Sequence, residues 1–144
     1  MKITKVVFET ALGLVVLVGA TSAAQAQKLA SAEIRFDTMD NDKDHDTFVN
    51  VEILRSDGYK AASVYNVGGK YNDHSSHTVG MSVFAADAAS LSGASLRIWI
   101  NTNGNDKWDF SAKVTLRFDD RSERVIDVGR MVLTQDDSQL QRSI

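Results

Sequence analysis

Phe48-Val-Asn-Val-Glu-Ile-Leu54 alternates apolar and polar side chains strictly enough to decide the class of fold. Successive side chains in a strand point to opposite faces, so Val49, Val51 and Ile53 belong to a core and Asn50 and Glu52 to the other side. The same period of two recurs at Ile34 and Phe36, at Val79, Met81 and Val83, at Leu96, Ile98 and Ile100, and at Val114, Leu116 and Phe118. Two further strands are less regular: Tyr59 to Val67, whose inward face is ambiguous, and Arg124 to Leu133, where Gly129 marks a bulge or a break. Turn signals separate them at Ser56-Asp-Gly58, Gly68-Gly69, Asn101-Thr-Asn-Gly-Asn-Asp106 and Asp119-Asp-Arg-Ser122. Only Ala85 to Leu91 suits a helical turn. The expectation is an all-β protein, an antiparallel β-sandwich of seven to eight strands.

Outside that pattern, residues 1–26 read as a cleaved signal peptide. Lys2 and Lys5 begin it, Ala11 to Ala20 form an apolar run, and Ala24-Gln-Ala26 supplies the small residues of a cleavage site. The apolar run is shorter than the roughly 20 residues a membrane-spanning helix needs. A periplasmic or secreted protein with no transmembrane segment is expected, with one domain at 27–134 and a disordered polar tail at 135–144. The chain has no cysteine, which excludes disulfides, and no proline, so its turns rest on Gly, Asn, Asp and Ser. Beyond residue 26 it carries 14 basic and 18 acidic residues, a net charge of minus 4. That balance argues against nucleic acid and against simple attraction to anionic lipid.

The first strand leads into Asp40-Asn-Asp-Lys-Asp-His-Asp46, in which Asp40, Asp42, Asp44 and Asp46 form a ladder of carboxylates at alternate positions. Such a run is tolerated in a folded turn where a hard cation neutralises it or where water solvates it. The ladder is not an EF-hand: His45 stands where that loop needs glycine, Val51 stands where it needs a bidentate glutamate, and strands flank it instead of helices. Calcium, with its flexible shell of oxygens, is still the metal such a loop suits best.

A second polar cluster, Asn72-Asp-His-Ser-Ser-His77, holds Asp73, His74 and His77. Two imidazoles three apart point to zinc, and a Ser, His and Asp set points to hydrolysis, but no third zinc ligand and no nucleophile elbow accompanies them. A solvated or hydrogen-bonded turn is the simpler reading. In Leu96-Arg-Ile-Trp-Ile100 the parity of Leu96, Ile98 and Ile100 sends Trp99 and Arg97 outward. An outward indole can stack on a sugar, enter a lipid interface or meet a protein partner, unless a neighbouring arginine covers it. Trp108 and Phe110 share one parity and belong to the core.

In order, Thr38-Met-Asp40, the acidic loop, Asp46-Thr-Phe-Val-Asn-Val-Glu-Ile-Leu-Arg-Ser-Asp-Gly58, Leu96-Arg-Ile-Trp-Ile100 and the re-entry at Trp108 make a pattern that resembles the PLAT/LH2 (lipoxygenase homology) domain. The resemblance spans about Ala32 to Val125. It implies a sandwich that is not itself catalytic and that associates with membranes or partner proteins in a calcium-dependent way, with Asp40, Asp42, Asp44 and Asp46 as the metal ligands. The resulting expectation is an exported, calcium-assisted binding module for a lipid, glycan or protein surface. The alternatives are a structural, assembly or inhibitor-type envelope protein, and a small metal-dependent hydrolase built on Asp73, His74 and His77.

Overall fold

A computed structural model of the protein describes residues 26–144, so all but the last residue of the assigned leader lies outside the described residues. Eight strands follow in chain order: β1 (Leu29–Thr38), β2 (Phe48–Leu54), β3 (Lys60–Val67), β4 (Ser76–Val83), β5 (Ser95–Asn101), β6 (Lys107–Phe118), β7 (Glu123–Thr134) and β8 (Gln139–Ser143). All five regular stretches of the sequence form strands, and so do both irregular ones. There is no helix among the described residues, and the Ala85 to Leu91 segment is a run of turns tied by Asp87 and Ser90.

The strands form one antiparallel sheet in the order β7-β6-β1-β4-β3-β2-β5-β8. The sandwich expected as two separate sheets is therefore a single sheet that curls until it is nearly closed into a barrel. Its two halves meet at a narrow corner, where β3 and β4 pair only at Ala62 with Val83 and Ser63 with Ser82. At the far side β7 approaches both β5 and β8. Alternation along a strand reports which side chains are inward and is silent about which strands neighbour each other, so both architectures write the same pattern.

Inside the curl, Phe36, Tyr71, Trp108 and Phe110 form the aromatic centre of the core. Trp108 stacks on Phe110 with ring centroids 3.8 Å apart and meets Phe36 at 5.0 Å. Its indole N–H donates to the Thr38 hydroxyl at 3.2 Å, which satisfies the one polar group this buried side chain carries.

Residues 135–144 correct the expectation of a disordered tail. Gln139–Ser143 is β8, paired with β5 through Leu140 opposite Ile98. Leu140 and Ile144 pack against the core, and the Ile144 amide donates to the Ala94 carbonyl at 2.9 Å. The segment is polar because it is an edge strand with one short apolar side. Gly129 does mark a bulge: it has φ +81°, and the register between β6 and β7 slips beside it.

Candidate functional site

Four connections gather at one end of the barrel: the β1–β2 loop with the aspartate ladder, the β3–β4 connection, the β5–β6 loop and the β7–β8 turn. Backbone bonds fix the ladder at its start. The Met39 amide donates to the Asp109 carbonyl at 2.7 Å, and the Asp109 amide donates to the Asn41 carbonyl at 3.1 Å. The Asp109 side chain is itself buried against the exposed Arg130, whose hydrogen bonds hold its carboxyl below the ordinary aspartate value of 3.8.

The four carboxylates of the ladder do not turn toward one point. Asp40 meets His74 Nε2 at 3.4 Å, Asp42 pairs with Lys70 at 3.0 Å, and Asp46 accepts from the Asn103 amide at 3.3 Å. The Asp44 side chain is exposed, while its backbone N–H donates to Asp106 at 3.3 Å. Among the described residues, no three His, Cys, Asp or Glu side chains converge as a metal-binding group.

The loop turns Lys43 inward instead, a residue that sequence reasoning passed over. Lys43 is fully buried, and mutual backbone bonds of 3.0 Å with Tyr71 anchor it to the β3–β4 connection. Its ammonium donates to the carbonyls of Asp44 at 3.1 Å and Thr47 at 2.7 Å, and to that of Gly69. It also stands 4.6 Å from the centroid of the Tyr71 ring. Burial pushes the Lys43 pKa down from its usual 10.5, and the charges of Asp106, Asp44 and Asp46 resist that shift. The signal in the sequence was a lone cation at the middle of an anionic ladder.

Asp73, His74 and His77 are not brought together as a catalytic group. Asp73 is exposed, and His74 sits at φ +58° in the turn and reaches Asp40. His77 stacks flat on Tyr71, with ring centroids 3.9 Å apart and planes 8° apart. The two histidines thus lead to the ladder and to the rim of the core.

The outward face of β3, β2, β5 and β8 holds the other concentration of functional chemistry. The register sets Asn50 opposite Trp99, Glu52 opposite Arg97, Trp99 opposite Gln139 and Arg97 opposite Gln141. Trp99 and Arg97 point outward, and the Arg97 guanidinium lies 5.1 Å from the Trp99 ring. Tyr65 lies 5.9 Å from Trp99, with the two rings inclined at 53°. Glu52 links the pair: it is ion-paired with Arg97 and accepts from the Tyr65 hydroxyl. Burial works against the charged form of Glu52, but the hydrogen bonds from Tyr65 and Arg97 outweigh it, so its pKa falls below the ordinary 4.5. Lys60 stands 5.6 Å from the rings of both Tyr65 and Phe84.

A bulge in β3 builds this arrangement and explains why its inward face was ambiguous. The register passes from Val49 opposite Val67 to Val51 opposite Val64, leaving Tyr65 and Asn66 together opposite Asn50. Asn66 takes φ +55° there and donates its amide to Asn50 Oδ1 at 2.9 Å. Asn50 is only 3% exposed, yet its Nδ2 has no hydrogen-bond partner, and neither has Arg97 Nε. Around this amide Phe48 and Tyr65 are each 41% exposed.

At the opposite end of the barrel, Lys28, Leu29, Arg55, Ala85, Asp87 and Ser90 line an open pocket that contains none of the candidate site residues of the sequence. Compared with known proteins, the chain matches no protein-family model and no curated protein sequence.

Proposed function

We propose that the protein is an exported, non-catalytic binding module that holds a glycan on the outward face of β3, β2, β5 and β8. The observation that carries this reading is the group of part-exposed rings, Trp99, Tyr65 and Phe48, set beside Arg97, Gln139 and Gln141 on one face of the sheet. Sugars offer two complementary surfaces, C–H faces that lie on aromatic rings and hydroxyls that bond to planar polar side chains. Trp99, Tyr65 and Phe48 supply the first kind of contact. Arg97, Gln139 and Gln141 supply the second, with the buried Glu52 holding Arg97 in place. A lipid surface fits less well, because charged and amide groups interrupt the apolar area and the chain beyond residue 26 is net negative.

Titration with soluble cello- and chito-oligosaccharides, followed by calorimetry and tryptophan fluorescence, tests this reading. Binding should change the emission of the half-buried Trp99 while Trp108 stays sealed in the core. No heat and no emission change with either series at millimolar concentration would remove the glycan proposal. A second reading, assembly through sheet edges, has one observation in its favour: edge strand β7 exposes Val125 and Val132. Sedimentation that stays monomeric across concentration counts against it.

A further inference from the structure

We infer that Lys43 is the resident cation of the aspartate loop, gathering the carbonyls and offsetting the charges that a calcium ion would otherwise serve, so that the loop folds and works without metal. This inference stands apart from what the outer face binds. Its starting point is the mismatch between the composition of the ladder and its geometry. Calcium takes six to eight oxygens at about 2.3–2.6 Å. Here Asp40, Asp42 and Asp46 are engaged separately by His74, Lys70 and Asn103. The oxygens that do converge are the carbonyls of Asp44, Thr47 and Gly69, and all three converge on Lys43 Nζ. The residues as arranged do not fit calcium, and they do fit an ammonium.

An ammonium has three N–H donors and no acceptor. Three carbonyls meet it, so the charged form is fully satisfied, whereas a neutral amine would leave one carbonyl without its hydrogen. Taking the charge out of water is costly, which is why a fully buried lysine is rare. The cost is offset by the carbonyls, by the face of Tyr71 and by the negative field of Asp44, Asp46 and Asp106. The ladder is thereby explained in part as counter-charge. Asp44 and Asp46 act on a cation that is covalently part of the loop. The bonds also have a mechanical result: Asp44 and Thr47 belong to the β1–β2 loop and Gly69 to the β3–β4 connection, so one side chain ties the two together.

Thermal melts of the full chain, in EGTA and then in 5 mM calcium chloride, supply the first test. The melting temperature should agree within about 1 °C between the two, and Lys43→Met should lower it by roughly 10 °C. Should Lys43→Met fail to fold, the unsubstituted protein still decides. In ¹⁵N-labelled material one lysine side-chain ¹H–¹⁵N signal should persist near neutral pH through slow exchange, and calcium should leave it and the amides of Asp44, Thr47 and Gly69 unmoved. A calcium-induced rise of several degrees, a Lys43 ammonium that exchanges as fast as surface lysines, or a Lys43→Met variant as stable as the parent would each overturn the inference.

Discussion

The molecule contains two cation-aromatic pairs of similar geometry and opposite circumstance. Lys43 lies 4.6 Å from the Tyr71 ring and is sealed, with every ammonium hydrogen donated to a carbonyl. Arg97 lies 5.1 Å from the Trp99 ring, its side chain is 34% exposed, and its Nε and the neighbouring Asn50 Nδ2 have no partner. Distance does not separate these two pairs. What separates them is exposure: Lys43 is sealed in its loop, and Arg97 keeps a third of its side chain at the surface. A sealed pair can only stabilise, while a part-exposed guanidinium and indole can still meet a ligand.

The contrast is broken most directly by removing each cation. Lys43→Met should cost about 3 kcal/mol in urea denaturation, because it strands three buried carbonyls and leaves the ladder without its inner counter-charge. Arg97→Ala should cost about 1.5 kcal/mol, one charge-assisted hydrogen bond, since its buried partner Glu52 keeps the Tyr65 hydroxyl. Equal losses would mean that the two sites do the same work.

Next in size is the effect on recognition. Trp99→Ala should weaken oligosaccharide binding by about 30-fold, the roughly 2 kcal/mol of a tryptophan contact at the centre of an interface, with little change in melting temperature. The same titration on Lys43→Arg should be unaffected wherever that variant folds.

Acid should divide the two regions. Glu52 has a pKa below 4.5, so the stability its charge contributes is fully present above the ordinary carboxylate value and is lost as pH falls through the lowered one. Asp109 and Glu33, also lowered by hydrogen bonds to arginines, follow the same sign. Lys43 stays protonated throughout that range. Oligosaccharide affinity should therefore be level from pH 7 to about 5 and drop below 4.5, while the slow Lys43 signal persists until global unfolding. The smallest effect belongs to the ladder's exposed side. Asp42→Asn with Asp44→Asn should change stability by no more than about 0.5 kcal/mol, with or without calcium, in matched thermal melts.

Strand positions were legible because a half-buried strand writes its burial into every second residue. Trp99 and Arg97 were legible by the same parity, including the arginine lying over the indole. The single curled sheet was not, since strand order depends on pairings such as β1 with β6 that leave no local trace. Strand β8 was hidden because Leu140 and Ile144 are its only apolar anchors in a polar run. Lys43 was hidden for a different reason. Composition counts a lysine among the solvated charges, and only the meeting of two loop carbonyls with that of the distant Gly69 turns it inward. Asn50 and Glu52 were read correctly as facing away from the core, but their burial comes from the side chains of neighbouring strands.

The interleaved strand order also has a kinetic consequence. Pairs close in the chain, β2 with β3 and β6 with β7, can zip early, but β1 must wait for β4 and β6 before both its edges are paired. Much of the loop-closure entropy is lost before the core repays it, a topology associated with folding in milliseconds to seconds. Since the chain has no proline and no cysteine, neither prolyl isomerisation nor disulfide exchange adds a slower step. Its refolding speed should be a nearly pure reading of how long the first strand takes to find its late-arriving neighbour.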